Sequence, residues 1–223
     1  MIFENMQEAA QELVRKLRRY KSKKLQIVAI VPGGVPVAKE IADALGAQLD
    51  VVITKPLNIS DDGGLGQIGA VAEGEVRVVD EFAMEIAQVP WELIEHAAFE
   101  SEQEVKNEIL KYREGRSLDV KDKNVVVVAD GVSSEAVVLA AVEAVRRLGA
   151  KKVILASPVC ALSIAEDIIG EVDEAVFLAT PFDLGEARLW YKKYEDVADK
   201  KVQSILRGGK REPSKASKHQ KTF

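Results

Sequence analysis

Residues 125–137 read Val-Val-Val-Val-Ala-Asp-Gly-Val-Ser-Ser-Glu-Ala-Val, and no other stretch of the chain groups so many chemically useful side chains. Four consecutive valines form a strand buried on both faces. Asp130 follows, then Gly131, then Ser133 and Ser134, then an apolar pattern at helical spacing. Backbone N–H groups at a helix start cradle anions, and an acid at a strand end can accept from sugar hydroxyls. A strand, an acid and a hydroxyl-rich turn into a helix are the parts that a ribose 5-phosphate site uses. The same residues also suit a plain helix start, with Ser133 or Ser134 as N-cap and Glu135 complementing the helix dipole for ~0.3–1 kcal/mol.

Other patterns carry less. Residues 64–69 fit GxGxxG, but the motif holds a dinucleotide only between a strand and a helix. Here a Gly- and Asp-rich loop precedes it and a strand-like stretch follows, so it reads as a chance match. Gly131-Val132-Ser133-Ser134-Glu135 has the outline of a nucleophile elbow without its final glycine. Its histidine base is also missing, since His96 falls inside a long helix and His219 in the tail. His96 with Glu92, Glu95 and Glu100 reads as a solvated helix face, because no second His or Cys lies near to complete a metal site. Cys160 is the only cysteine, which excludes an internal disulfide and a cysteine-based metal cluster.

The elements that position these residues alternate. Residues 4–20 repeat apolar side chains at helical spacing. Residues 25–31 form a buried strand, 35–45 a helix ended by Gly46, and 49–54 the next strand; this unit implies a parallel pair with a right-handed crossover. Residues 56–66 read as a loop, and 69–79 as two short strands. Residues 90–113 make one long charged helix that packs across the domain or at a subunit contact. Strands at 124–129, 152–157 and 174–179 alternate with helices at 134–148, 161–169 and 196–206. The fold class is therefore α/β, with a doubly wound, mostly parallel sheet. In such sheets ligands bind at the carboxyl ends of strands near a topological switch point, which directs attention to residues 31–36, 54–66 and 130–135.

Length favours one domain, residues 1–206, with 207–223 as a basic disordered tail. The tail holds six Lys/Arg against Glu212, so it is net +5 and the rest of the chain net −10. An acidic body argues against nucleic-acid binding except through that tail. No apolar run reaches membrane-spanning length and no signal peptide opens the chain, so the expected location is cytoplasmic, without a membrane partner.

Several segments resemble a family of phosphoribosyltransferase-domain proteins: VAIVPGGVPVAKEIADALGAQLDVVITKPL, IGAVAEGEVRVVDE, KYREGRSLDVKDKNVVVVADG, LATPF and LWYKKYEDVADKKVQSIL. The resemblance runs in order from about residue 3 to 206. It implies the type I phosphoribosyltransferase fold. It implies transfer of a phosphoribosyl group from phosphoribosyl pyrophosphate, with Mg²⁺, to a base-like acceptor, and a homodimer. By the same resemblance Asp130 holds ribose hydroxyls, and Gly131, Ser133 and Ser134 cradle the 5′-phosphate. Gly33, Gly34 and Lys55 then hold pyrophosphate and Mg²⁺, with no metal ligand set made of protein side chains alone. Residues 56–69 close over the site as a lid.

The chain departs from the family pattern at four positions. Ala129 replaces the first of two adjacent acids, Glu135 replaces a glycine, and Val137 replaces a threonine of the phosphate loop. Pro32 replaces an arginine in the first loop, removing a bidentate anion contact. These departures leave a second expectation open: a non-catalytic nucleotide-binding, regulatory or assembly protein on the same fold.

Overall fold

The structure is a computed structural model that describes residues 2–22, 24–59, 66–80, 89–182 and 184–208. Five parallel strands form its centre, in the order β3 (Gln48–Val52), β2 (Leu25–Ile30), β7 (Asn124–Val128), β8 (Lys152–Val159), β9 (Glu174–Ala179). The three central strands β2, β7 and β8 read as mostly apolar runs because both faces are covered. Ile27, Ala29, Val126, Val128 and Ile154 point to one side, against α1 (Met6–Leu17) and α2 (Gly34–Leu45). Val28, Val125, Val127, Val153 and Leu155 point to the other, against α4 (Glu135–Arg147) and its neighbour α5 (Leu162–Glu171). Gly46 ends α2 in the left-handed conformation (φ 67°), as its position after the apolar repeat foretells.

A second, antiparallel sheet joins β4 (Thr54–Asn58), β5 (Gln67–Ala72) and β6 (Val76–Val79). The long helix α3 (Trp91–Arg113) packs on β4 and β5, while α4 packs against β5 and β6. Beneath this layer lies an ion pair between Arg113 and Glu73, which are 1% and 6% exposed. Glu73 also accepts from the Ile53 amide at 3.1 Å, tying the start of the second sheet to the end of α3.

Two local expectations need correction. Residues 56–58 belong to β4, not to a loop. Pro56 is tolerated because β4 lies at the edge of its sheet, where a missing N–H costs no ladder bond. The first helix also begins later than residue 4. Phe3–Asn5 is a strand, β1, paired in parallel with β10 (Tyr191–Lys193), and Asn5 caps α1 by accepting from the Glu8 amide. The last helix, α6, spans Asp199–Gly208. Residues 60–65, within the expected lid, and 209–223, most of the expected tail, lie outside the described residues.

Candidate active site at the switch between β2 and β7

From β2 the chain crosses to β3 on one side, while β7, β8 and β9 extend on the other, so the switch point falls between β2 and β7. The loops leaving these two strands press together there. A Cβ on Gly34 would collide with the Val128 carbonyl, and one on Gly33 with both carboxylate oxygens of Asp130. The paired glycines let residues 31–34 lie directly on the end of β7. The Val31–Pro32 peptide is cis.

Asp130 is partly buried at this junction. The Tyr194 hydroxyl donates to its Oδ2 at 2.8 Å, and the Tyr191 hydroxyl donates to its backbone carbonyl. The Asp130 and Gly131 amides also favour its ionised form from the backbone side. Burial raises its pKa above the usual carboxylate value, and these donors work against that rise. Burial, and then the nearby Asp130 carboxylate, raise both tyrosines above the ordinary phenol value. A Cβ on Gly131 would collide with Ala187, in the single helical turn Ala187–Trp190, so that segment rests on the Asp130–Ser134 loop.

Ser134 is the N-cap of α4: its Oγ accepts from the Val137 amide and from Gln67 Nε2 at 2.6 Å. Gln67 thereby ties the second sheet to the loop. Val132 extends the loop alongside β8, its amide donating to Val159 and its carbonyl accepting from Ala161. Ser133 is exposed beside Ser134. Glu135 occupies the first turn of α4, and burial, then Asp167 and Asp80, push its pKa up. Ala129 is a buried apolar side chain, so only Asp130 carries a carboxylate at the strand end.

The structure thus brings together Gly33, Gly34, Asp130, Gly131, Ser133 and Ser134. It does not bring Lys55 to them. Lys55 lies on β4 facing α3, where its Nζ is 2.7 Å from Glu108 and 3.3 Å from Glu104. Both partners sit on one face of α3, four residues apart. Among the described residues no group of three His, Cys, Asp or Glu side chains is arranged to hold a metal ion. The site's donor set therefore fits a divalent cation only where ligand oxygens supply most of its shell.

Tyr191, Tyr194 and Gln67 enter the site without having been singled out in the sequence. One local signal existed: Trp190, Tyr191 and Tyr194 are three aromatics packed into a stretch otherwise rich in charge. A cavity of about 830 Å³ lies elsewhere, at the opposite strand ends, among Gln26, Gln48, Asp50, Arg116 and Lys123. The ends of α2, α3 and α6 converge there, and the side chains of both charges offset one another and the helix dipoles.

A switch-point junction with an acid, a glycine pair and a hydroxyl-bearing helix start marks an α/β protein with a candidate ligand site. The phosphoribosyl transferase domain family matches residues 1–174, and the chain belongs to that family. It is 29% identical over 209 residues to a Mycobacterium tuberculosis H37Rv protein named "putative phosphoribosyl transferase". That alignment covers 92% of this chain and 46% of the relative, so the chain spans about half the length of the curated relatives it matches. The structure is similar to the crystal structure of TT1426 from Thermus thermophilus, with TM-score 0.76 and 28% identity. The match covers 92% of this chain and 98% of that one.

Proposed function

We propose that the chain binds the ribose 5-phosphate part of phosphoribosyl pyrophosphate at the β2–β7 switch point and transfers it to a base-like acceptor. The observation that carries this reading is the convergence of residues 31–34 with Asp130–Ser134 at the carboxyl ends of adjacent strands. Asp130 accepts from ribose hydroxyls. Gly131, Ser133, Ser134 and the start of α4 receive the 5′-phosphate, and Gly33 and Gly34 leave room for backbone contact with pyrophosphate. Mg²⁺, carried on the substrate's own oxygens, would neutralise the pyrophosphate charge. The protein's part is positioning and charge stabilisation of an oxocarbenium-like transition state. Lys55 reaches pyrophosphate only by leaving Glu108 and Glu104. The proposal includes a cytoplasmic setting, a homodimer, a role in nucleotide metabolism and a domain ending near residue 206, with 207–223 as an appended basic tail.

Three observations favour a second reading, ligand binding without transfer. Lys55 is held by glutamates, Glu135 brings negative charge to the phosphate loop, and Ala129 offers no second carboxylate. Incubation with phosphoribosyl pyrophosphate, Mg²⁺ and a panel of purine, pyrimidine and pyridine bases separates the two. Acceptor-dependent pyrophosphate release supports the transferase. Saturable binding with no release for any base leaves the binding protein.

A further inference from the structure

The carboxylate of Asp130 offers about four lone-pair positions. Tyr194 takes one at Oδ2, and the Asp130 and Gly131 amides favour the ionised group from the backbone side. Gly33 lies against both carboxylate oxygens. The remaining positions are open to ligand hydroxyls, and where they point depends on what holds the carboxylate.

Both phenols come from the stretch around β10. Tyr191 packs tilted against Phe3 of β1 with ring centroids 5.8 Å apart, and the Tyr194 ring centroid lies 5.7 Å from that of Tyr191. The pairing of Phe3 with Tyr191 fixes this stretch to the first strand of the chain. Tyr191 holds the Asp130 carbonyl, and so the peptide that aims the Gly131 amide at the carboxylate. Tyr194 holds the side chain itself.

We infer that Tyr194 is a positioning residue for ribose recognition, holding the Asp130 carboxylate turned so that a free lone pair meets a ribose hydroxyl. This deepens the proposed function and rests on it. Asp130 is faced by Tyr191 and Tyr194 from the β10 stretch, by Gly33 from the first loop, and by its own and the Gly131 amide. Arg188 and Asp196 face Tyr194 in turn. Removing the Tyr194 hydroxyl removes a donor that lowers the pKa of Asp130, so the acid then takes up its proton at higher pH.

The test compares the wild-type chain with Tyr194→Phe, using ribose 5-phosphate as the probe in calorimetry across pH. Carbon-13 NMR of the Asp130 carboxyl follows its titration without ligand. The variant is expected to bind about tenfold more weakly at neutral pH, as for a lost hydrogen bond to a charged group. The acid limb of its affinity profile is expected to move to higher pH together with the Asp130 titration. A lost structural contact alone would lower the melting temperature and leave both profiles in place, which overturns the inference. Tighter binding by the variant also overturns it, because Tyr194 would then be a competitor for the ribose position. If the wild-type chain binds no ribose 5-phosphate while the titration still shifts, the site reading fails and the positioning role with it. Wild-type binding with unchanged affinity and titration in the variant sinks only the role of Tyr194.

Discussion

Glu135→Gln separates the two things that Glu135 does. The residue opens α4, where a carboxylate complements the helix dipole. It also places a negative charge beside the proposed phosphate cradle, in the company of Asp167 and Asp80. A phosphate seated on the first turn of α4 would lie roughly 6 Å from that carboxylate, about one helical turn. A phosphate dianion and a carboxylate at that separation repel by about 3 kcal/mol at an effective dielectric near 40. Glu135 is only half-buried, so solvent and salt reduce this to on the order of 1–2 kcal/mol. Glutamine keeps the shape and removes the charge, and affinity for ribose 5-phosphate should rise roughly 5- to 30-fold at low salt. The dipole contribution lost from α4 is about 0.3–1 kcal/mol, so melting temperature should fall slightly while affinity rises.

Calorimetry with ribose 5-phosphate and with inorganic phosphate, at low and high salt, measures the effect. The gap between the proteins should narrow as salt rises. It should also narrow as pH falls through the raised pKa of Glu135, because the wild-type carboxylate is then neutralised. Equal or weaker binding by the variant at low salt and neutral pH would refute the reasoning and leave Glu135 as a helix-start residue with no bearing on a ligand.

Arg113→Met strands the buried Glu73 carboxylate and should cost about 3–5 kcal/mol in urea denaturation. Burial already raises the pKa of Glu73, and losing Arg113 raises it further. The loss should therefore be smaller near pH 5 than near pH 8, since the stranded acid is neutralised as pH falls through its folded-state pKa. Glu114→Gly should stabilise by about 0.5–1 kcal/mol in the same assay, because Glu114 follows α3 with φ 57°, a conformation that glycine adopts without strain. Gly131→Ala drives a methyl into Ala187 and should cost about 1–3 kcal/mol while lifting the 187–190 turn from the Asp130–Ser134 loop. Faster hydrogen exchange confined to that turn would report the lifting, and its absence would place the strain elsewhere.

The central sheet was legible because its strands are short apolar runs between turn residues, and because both faces are buried. Residues 124–129 and 174–179 needed no tertiary information. The glycine pair and the Asp130–Ser134 turn were legible for the same reason, since a strand, its loop and the next helix start are contiguous in sequence. The rest depends on partners far along the chain. Phe3–Asn5 is a strand only because Tyr191 lies beside it, and residues 56–58 are a strand only because β5 offers an antiparallel partner. The environment of Lys55 is set by Glu104 and Glu108, about fifty residues away on a helix whose packing face the local pattern does not specify. Tyr191 and Tyr194 meet Asp130 from more than sixty residues away, and their spacing in a charged stretch matches no motif of sheet or helix.

Calorimetric titration with phosphoribosyl pyrophosphate, with and without Mg²⁺, tests the central claim most directly, with ribose 5-phosphate and AMP as comparison ligands. The account predicts saturable binding of all three phosphoribosyl compounds, strengthened by Mg²⁺ for phosphoribosyl pyrophosphate alone and abolished by Asp130→Ala. No heat of binding at millimolar ligand would contradict it, and would mean that the convergence of these loops serves packing rather than a phosphoribosyl ligand.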